Sequence, residues 1–255
     1  MAESGTKPIH SSLVAALTVE GERSPYAADA NEPDPRYLSY GVRAPAVRAV
    51  WRSHRDRIGS LPPLDRLELA TLLIESGYGE QQTLGSSILE LMPEVFTAKN
   101  LGLIDGFVHC LRGWSKVDTF ATGILRILLS FHPDEMIDMC RSWNVDPDPW
   151  PRRTSVVIFT REVAESGRFT DIALEMCAPL ARDPHMHVRK GVGWTLKDLM
   201  RADRERLIEY VRALRANGES NDIVLYAIKE LDERTRQNIL QVGPGTGVSD
   251  SASLT

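Results

Sequence analysis

Apolar residues recur at intervals of three and four from about residue 44 to residue 240. That is the period of α-helices with one buried face. It is clearest over 64–76, 101–112, 119–131, 153–164, 171–182, 187–200 and 204–216, and a short helix is predicted over about 11–19. Alternating Val, Ile or Thr runs closed by two-residue glycine turns, the hairpin signal, are nearly absent. Each helical segment is short, and each joint carries Pro, Gly, Asp or Asn, which stop one helix or cap the next. The pattern predicts an all-α fold.

The ends read differently. Residues 20–36 (EGERSPYAADANEPDPR) are polar and turn-rich, and 242–255 (VGPGTGVSDSASLT) hold almost no large apolar side chain to offset the entropy of ordering. GPGTG lacks the Gly-Lys-Ser/Thr that would make it a phosphate loop. The organisation expected is an N-terminal helix and loop over 1–36, a helical domain over 37–241 and a disordered tail over 242–255.

Within the helical region, Asp148-Pro-Trp-Pro-Arg-Arg resembles Asp183-Pro-His-Met-His-Val-Arg-Lys: Asp-Pro, a gap, then a basic pair opening an amphipathic helix. A period of about 36 residues is that of a HEAT-like α-solenoid, in which Asp caps the second helix of each pair and the second helices line a concave face.

Composition narrows the function classes. With 42% hydrophobic residues the chain can build a core, and no stretch approaches a membrane-spanning run. MAESGTKPIHSS has no signal-peptide pattern, and three separated cysteines without a CxxC give neither zinc ribbon nor disulfide framework, so a cytoplasmic protein is expected. His185 and His187 form an HxH beside Asp183 but have no further ligands at suitable spacing, so no metal is expected. GxSxG, HExxH and GxGxxG are absent, which disfavours the common hydrolase, protease and dinucleotide readings; no cofactor is expected.

A net charge of −5 argues against indiscriminate nucleic-acid binding, but the local distribution is uneven. Arg48, Arg52 and Arg55 share a helix face in 43–57, and Arg152, Arg153, Arg189, Lys190 and Lys197 fall on the repeat-equivalent second helices, beside Arg112 and Lys116. Acidic residues gather in 20–34, 75–94 and 230–233. A basic inner stripe would hold a polyanion; the plainer reading is solvated faces and salt bridges. Trp114 and Asp118, at i and i+4, share one helix face, and repeat register sets Asp118 level with Arg153 or Thr154 and with Lys190. Trp194 follows Lys190 by one turn, and Lys197 lies about one turn further on. The expected inner wall displays two indoles, a carboxylate and several cations.

Trp114-Ser-Lys-Val-Asp118, Trp150-Pro-Arg-Arg153-Thr-Ser-Val-Val and Val188-Arg-Lys-Gly-Val-Gly-Trp194-Thr-Leu-Lys197 resemble, in order and spacing, three motif blocks of the AlkD-like DNA glycosylases. The likeness runs from about Gly41 to Leu231; Tyr37 and Gly41 to Arg48 resemble the family's DNA-facing N-terminal helix more loosely. The resemblance implies HEAT-like repeats and excision of N3- or N7-alkylated purines from double-stranded DNA while the lesion stays stacked. It places the catalytic carboxylate on Asp118, the flanking indoles on Trp114 and Trp194, and a backbone-contacting arginine on Arg153. Lys197 stands where the family usually has arginine, which keeps charge but loses bidentate phosphate recognition. Lys116 should face away from Asp118, so no Schiff-base lysine is evident and a monofunctional enzyme is expected. Some members of the family protect producers of large DNA-alkylating antibiotics, so both base excision repair and self-resistance are open. A monomer is expected. The alternative from another class is a non-catalytic HEAT-repeat scaffold that binds DNA or protein.

Overall fold

A computed structural model describes residues 5–23 and 34–243. The regular structure is all helical, with one isolated parallel bridge between Leu38 and Tyr78. The chain divides into two compact units between Met139 and Cys140.

The first unit holds α1 (Thr6–Arg23), α2 (Ala44–Gly59), α3 (Pro63–Glu75), α4 (Gly79–Leu89), α5 (Gly102–Cys110), α6 (Trp114–Phe120) and α7 (Arg126–Phe131). α1 is twice the predicted length because Ile9, Leu13 and Leu17, four residues apart, are all buried; their stripe packs on α2 and α3. Residues 24–33 of the predicted loop and 244–255 of the predicted tail lie outside the described residues. α3 and α4 pack extensively on each other, and α4 also packs on α6. α6 and α7 form one helical run interrupted by a π-turn at Ala121–Leu125, where Gly123 leaves helical geometry (φ −95°, ψ −106°). Such bulges insert an extra residue into a turn and are frequent at functional sites.

α8 (Pro133–Asn144) carries the chain into the second unit, which holds α9 (Pro149–Val157), α10 (Glu162–Glu165), α11 (Thr170–Leu180), α12 (Met186–Leu199), α13 (Arg204–Ala216), α14 (Asn221–Ala227) and α15 (Glu233–Leu240). The helix expected over 153–164 begins earlier. Asp148 caps it by accepting the Trp150 N–H at 3.1 Å, and Pro149 sits in its first turn, where the missing N–H does no harm. It ends at Val157, although apolar residues continue the period, and Arg161 turns the chain at φ +54°.

α12 packs between α9 and α14. Thr195 on α12 donates to the Val156 carbonyl of α9 at 2.8 Å. Gly193 brings α12 so near α14 that a Cβ there would lie 2.8 Å from the Tyr226 Cβ and 2.9 Å from the Ile223 carbonyl oxygen.

The repeat register is read from the loops. Asp146, Asp183 and Ser220, spaced 37 residues apart, each accept the N–H two residues on, from Asp148, His185 and Asp222. Asp183 therefore pairs with Asp146, not with Asp148 as the Asp-Pro match suggested. Asp146-Pro147 is the true counterpart of Asp183-Pro184, and Asp148 is a helix cap two residues further on.

Candidate functional site

In the first unit, Gly113 turns into α6 at φ +83°, a conformation that favours glycine. Its carbonyl accepts the N–H groups of Lys116 and Val117. Trp114 is thus the first residue of α6 and is 37% exposed. Asp118, one turn on, is half-buried within the helix rather than at its cap, and its carbonyl accepts the Thr122 hydroxyl at 2.8 Å. The entry to this helix is tied down by Gln82, a wholly buried amide on α4. Its Nε2 donates to the Ile74 and Cys110 carbonyls at 3.2 and 2.8 Å, and its Oε1 accepts the Arg112 N–H at 3.3 Å. One side chain thereby joins the end of α3, the end of α5 and the turn before Trp114. The Glu90 carboxyl is turned against Gly123, where a Cβ would overlap it. Burial pushes its pKa up, and the Arg126 guanidinium offsets part of the rise.

Lys116 lays its stem against Gly79 beside the Tyr37 ring, where a Cβ on that glycine would clash with both. On α2, Val47, Val50 and Ile58 face inward while Arg48, Arg52 and Arg55 are exposed.

In the second unit, the predicted cations have very different fates. Arg152 closes on the Asp183 carboxylate at 2.6 Å and also donates to the Asp146 and Pro147 carbonyls. One repeat later, Arg189 closes on Asp222 at 2.8 Å and donates to the Asp183 and Pro184 carbonyls. The two arginines form a repeating clamp. Arg153 is buried, and its guanidinium donates to the His187 carbonyl. Lys197 is 8% exposed, 2.8 Å from Asp198 and 2.7 Å from Glu230. Burial alone would lower its pKa, but the two carboxylates outweigh that and raise it. Lys190 remains half-buried.

The indoles divide as well. Trp150 is fully buried against the His185 and His187 rings, at centroid distances of 5.4 and 5.9 Å, and Trp143 is buried too. Trp194 on α12 is half-buried, with the Arg161 guanidinium 5.6 Å from its ring centroid. Gln82, Arg161 and Asp198 are absent from the sequence-level set. A glutamine inside a helix and an arginine after one carry no local signal of these roles.

No group of His, Cys, Asp and Glu able to hold a metal occurs among the described residues, and no helix among them is long and apolar enough to cross a membrane.

A tryptophan and a carboxylate on one helix of the first unit, with stacked 37-residue helical repeats in the second, define an all-α helical-repeat protein. The model of a family described as DNA alkylation repair enzyme matches residues 34–231, and the chain belongs to that family. No curated protein matches the sequence. A solved structure titled as a predicted DNA alkylation repair enzyme from Enterococcus faecalis is similar at a TM-score of 0.66 and 13% identity, covering 87% of this chain and 96% of that one. At that identity the likeness is one of fold.

Proposed function

We propose that the protein is a monofunctional DNA glycosylase that hydrolyses the N-glycosidic bond of N3- or N7-alkylated purines in duplex DNA. The observation that carries this reading is Asp118. It is a half-buried carboxylate one helical turn from an exposed indole, inside the segment matched by the DNA alkylation repair model.

An alkylated purine bears a positive charge and leaves without a general acid. The barrier lies in the cationic, oxocarbenium-like deoxyribose that forms as the bond to the base breaks. A carboxylate beside C1′ opposes that charge and takes a proton from the water that attacks C1′; the products are the free base and an abasic sugar. One preorganised group of this kind is worth roughly 3–4 kcal/mol of barrier. Indole faces attract cations by about 1–2 kcal/mol when desolvated, which suits Trp114 for the charged sugar. The motif resemblance assigns the same role to Trp194. Lys116, whose stem rests on Gly79, is not poised as a Schiff-base nucleophile, which supports hydrolysis without strand cleavage.

The exposed arginines Arg48 and Arg52 and the half-buried Lys190 suit phosphate contact. Arg152, Arg189 and Lys197 are engaged by carboxylates, and we assign them to holding the repeats together. Action on a stacked lesion, tolerance of bulky adducts and a role in base excision repair or self-resistance follow from the resemblance and extend the proposal.

The test is a base-release assay on duplexes carrying methyl and bulky purine adducts. Asp118→Asn is expected to retain duplex affinity and to lose base release by about 10²–10³-fold. Release at the wild-type rate would refute the role of Asp118. Duplex binding without release of any adduct by the wild-type protein would instead favour the scaffold reading.

A further inference from the structure

Arg161 occupies a backbone conformation (φ +54°, ψ −129°) close to the first central position of a type II′ turn. Glycine adopts that region freely, whereas an L side chain is strained there. The strain is held by a buried partner, since the Arg161 N–H donates to the Asp198 carboxylate at 2.8 Å and Asp198 is 1% exposed. Lys197 neutralises Asp198 at 2.8 Å and is anchored on its other side by Glu230. The chain Glu230–Lys197–Asp198 thus ends on the backbone of Arg161.

At the far end of the same residue, the guanidinium lies over the Trp194 indole while the side chain remains exposed. Arg161 forms no ion pair among the described residues. Elsewhere in the same unit, Arg152, Arg189, Arg201 and Lys197 are each engaged by a carboxylate. A strained arginine is poor economy if any exposed side chain would serve. A guanidinium held over a ring loses rotamer freedom, and an exposed guanidinium with no carboxylate partner has N–H groups to offer a phosphodiester.

We propose that Arg161 is a preorganised phosphate-binding residue for duplex DNA, held against Trp194 by the buried Asp198–Lys197 pair that Glu230 anchors from the surface. Asp198 and Lys197 are then positioning residues. The lysine in the last motif block acts through Asp198 rather than by touching phosphate. The inference rests on the duplex-DNA reading above and does not depend on glycosylase activity.

The experiment compares wild type, Arg161→Ala, Arg161→Gly, Asp198→Asn and the Arg161→Gly/Asp198→Asn double variant for unmodified-duplex affinity across a salt series and for thermal unfolding. Both Arg161 variants should bind roughly tenfold more weakly, each with a salt slope smaller by about one. Arg161→Gly should unfold roughly 2–4 °C above Arg161→Ala, because only glycine relieves the strained φ. Asp198→Asn should weaken binding when Arg161 is present and leave the affinity of Arg161→Gly unchanged, a coupling that general destabilisation does not produce. Wild-type affinity in both Arg161 variants would overturn the inference and leave the duplex reading standing. Additive effects of Asp198→Asn and Arg161→Gly would overturn the positioning role of Asp198. Absence of duplex binding by wild type would overturn the duplex reading and the inference with it.

Discussion

The Arg152 guanidinium meets the Asp183 carboxylate at 2.6 Å with only 14% and 3% of the two side chains exposed. Its remaining N–H groups reach the carbonyls of Asp146 and Pro147, so one side chain fastens its own loop to the loop of the next repeat. A half-buried ion pair of this kind matters mainly through what is stranded when one partner goes. Arg152→Met should therefore lower the unfolding free energy by about 3–5 kcal/mol, since it leaves the Asp183 carboxylate buried without its counter-charge, with the His185 N–H still donating to it. Arg141→Ala breaks a pair with Glu175 that is 46% and 45% exposed, and should change stability by less than about 1 kcal/mol. Urea unfolding of the two variants side by side checks the contrast.

Two glycine-to-alanine substitutions should act in opposite directions. At Gly193 a methyl would press on Tyr226 and the Ile223 backbone, so Gly193→Ala forces α12 and α14 apart and should destabilise by about 1–3 kcal/mol. Gly106 lies within α5 with open space where its Cβ would be, and Gly106→Ala should stabilise by roughly 0.5–1 kcal/mol through lower backbone entropy in the unfolded chain. Thermal midpoints of the pair, measured in one buffer, decide it.

Glu90 gives the protein a pH signature. Burial raises its carboxyl pKa in the folded state, against a partial lowering by Arg126, so the native protein holds that proton more tightly than the unfolded chain does. The associated stability is complete below the unfolded-chain value of about 4.3 and is lost as pH rises through the raised native value. Glu90→Gln, a neutral stand-in for the protonated acid, should raise the thermal midpoint at pH 7 and leave it nearly unchanged at pH 3. An equal shift at both pH values would show that the carboxyl charge at Gly123 is not the cause.

Local periodicity was enough to read the helices and the all-α class, because burying one face of a helix imposes its spacing on a dozen neighbouring residues. It also set Trp114 and Asp118 one turn apart, since both belong to a single short helix. Boundaries were less legible: the end of α9 falls inside an apolar run, at a turn that Arg161 makes with a backbone angle no arginine announces.

Tertiary structure alone decided which indoles reach the surface and which cations are engaged by carboxylates of the same chain. Trp150 and Trp114 are the same residue type in similar motif blocks, yet the first is enclosed by histidines and the second is exposed. Arg152 and Arg48 are equally basic in sequence, but a carboxylate 31 residues away engages the first. Helix formation is settled among neighbours within one or two turns, whereas burial and ion pairing are settled by residues a full repeat distant.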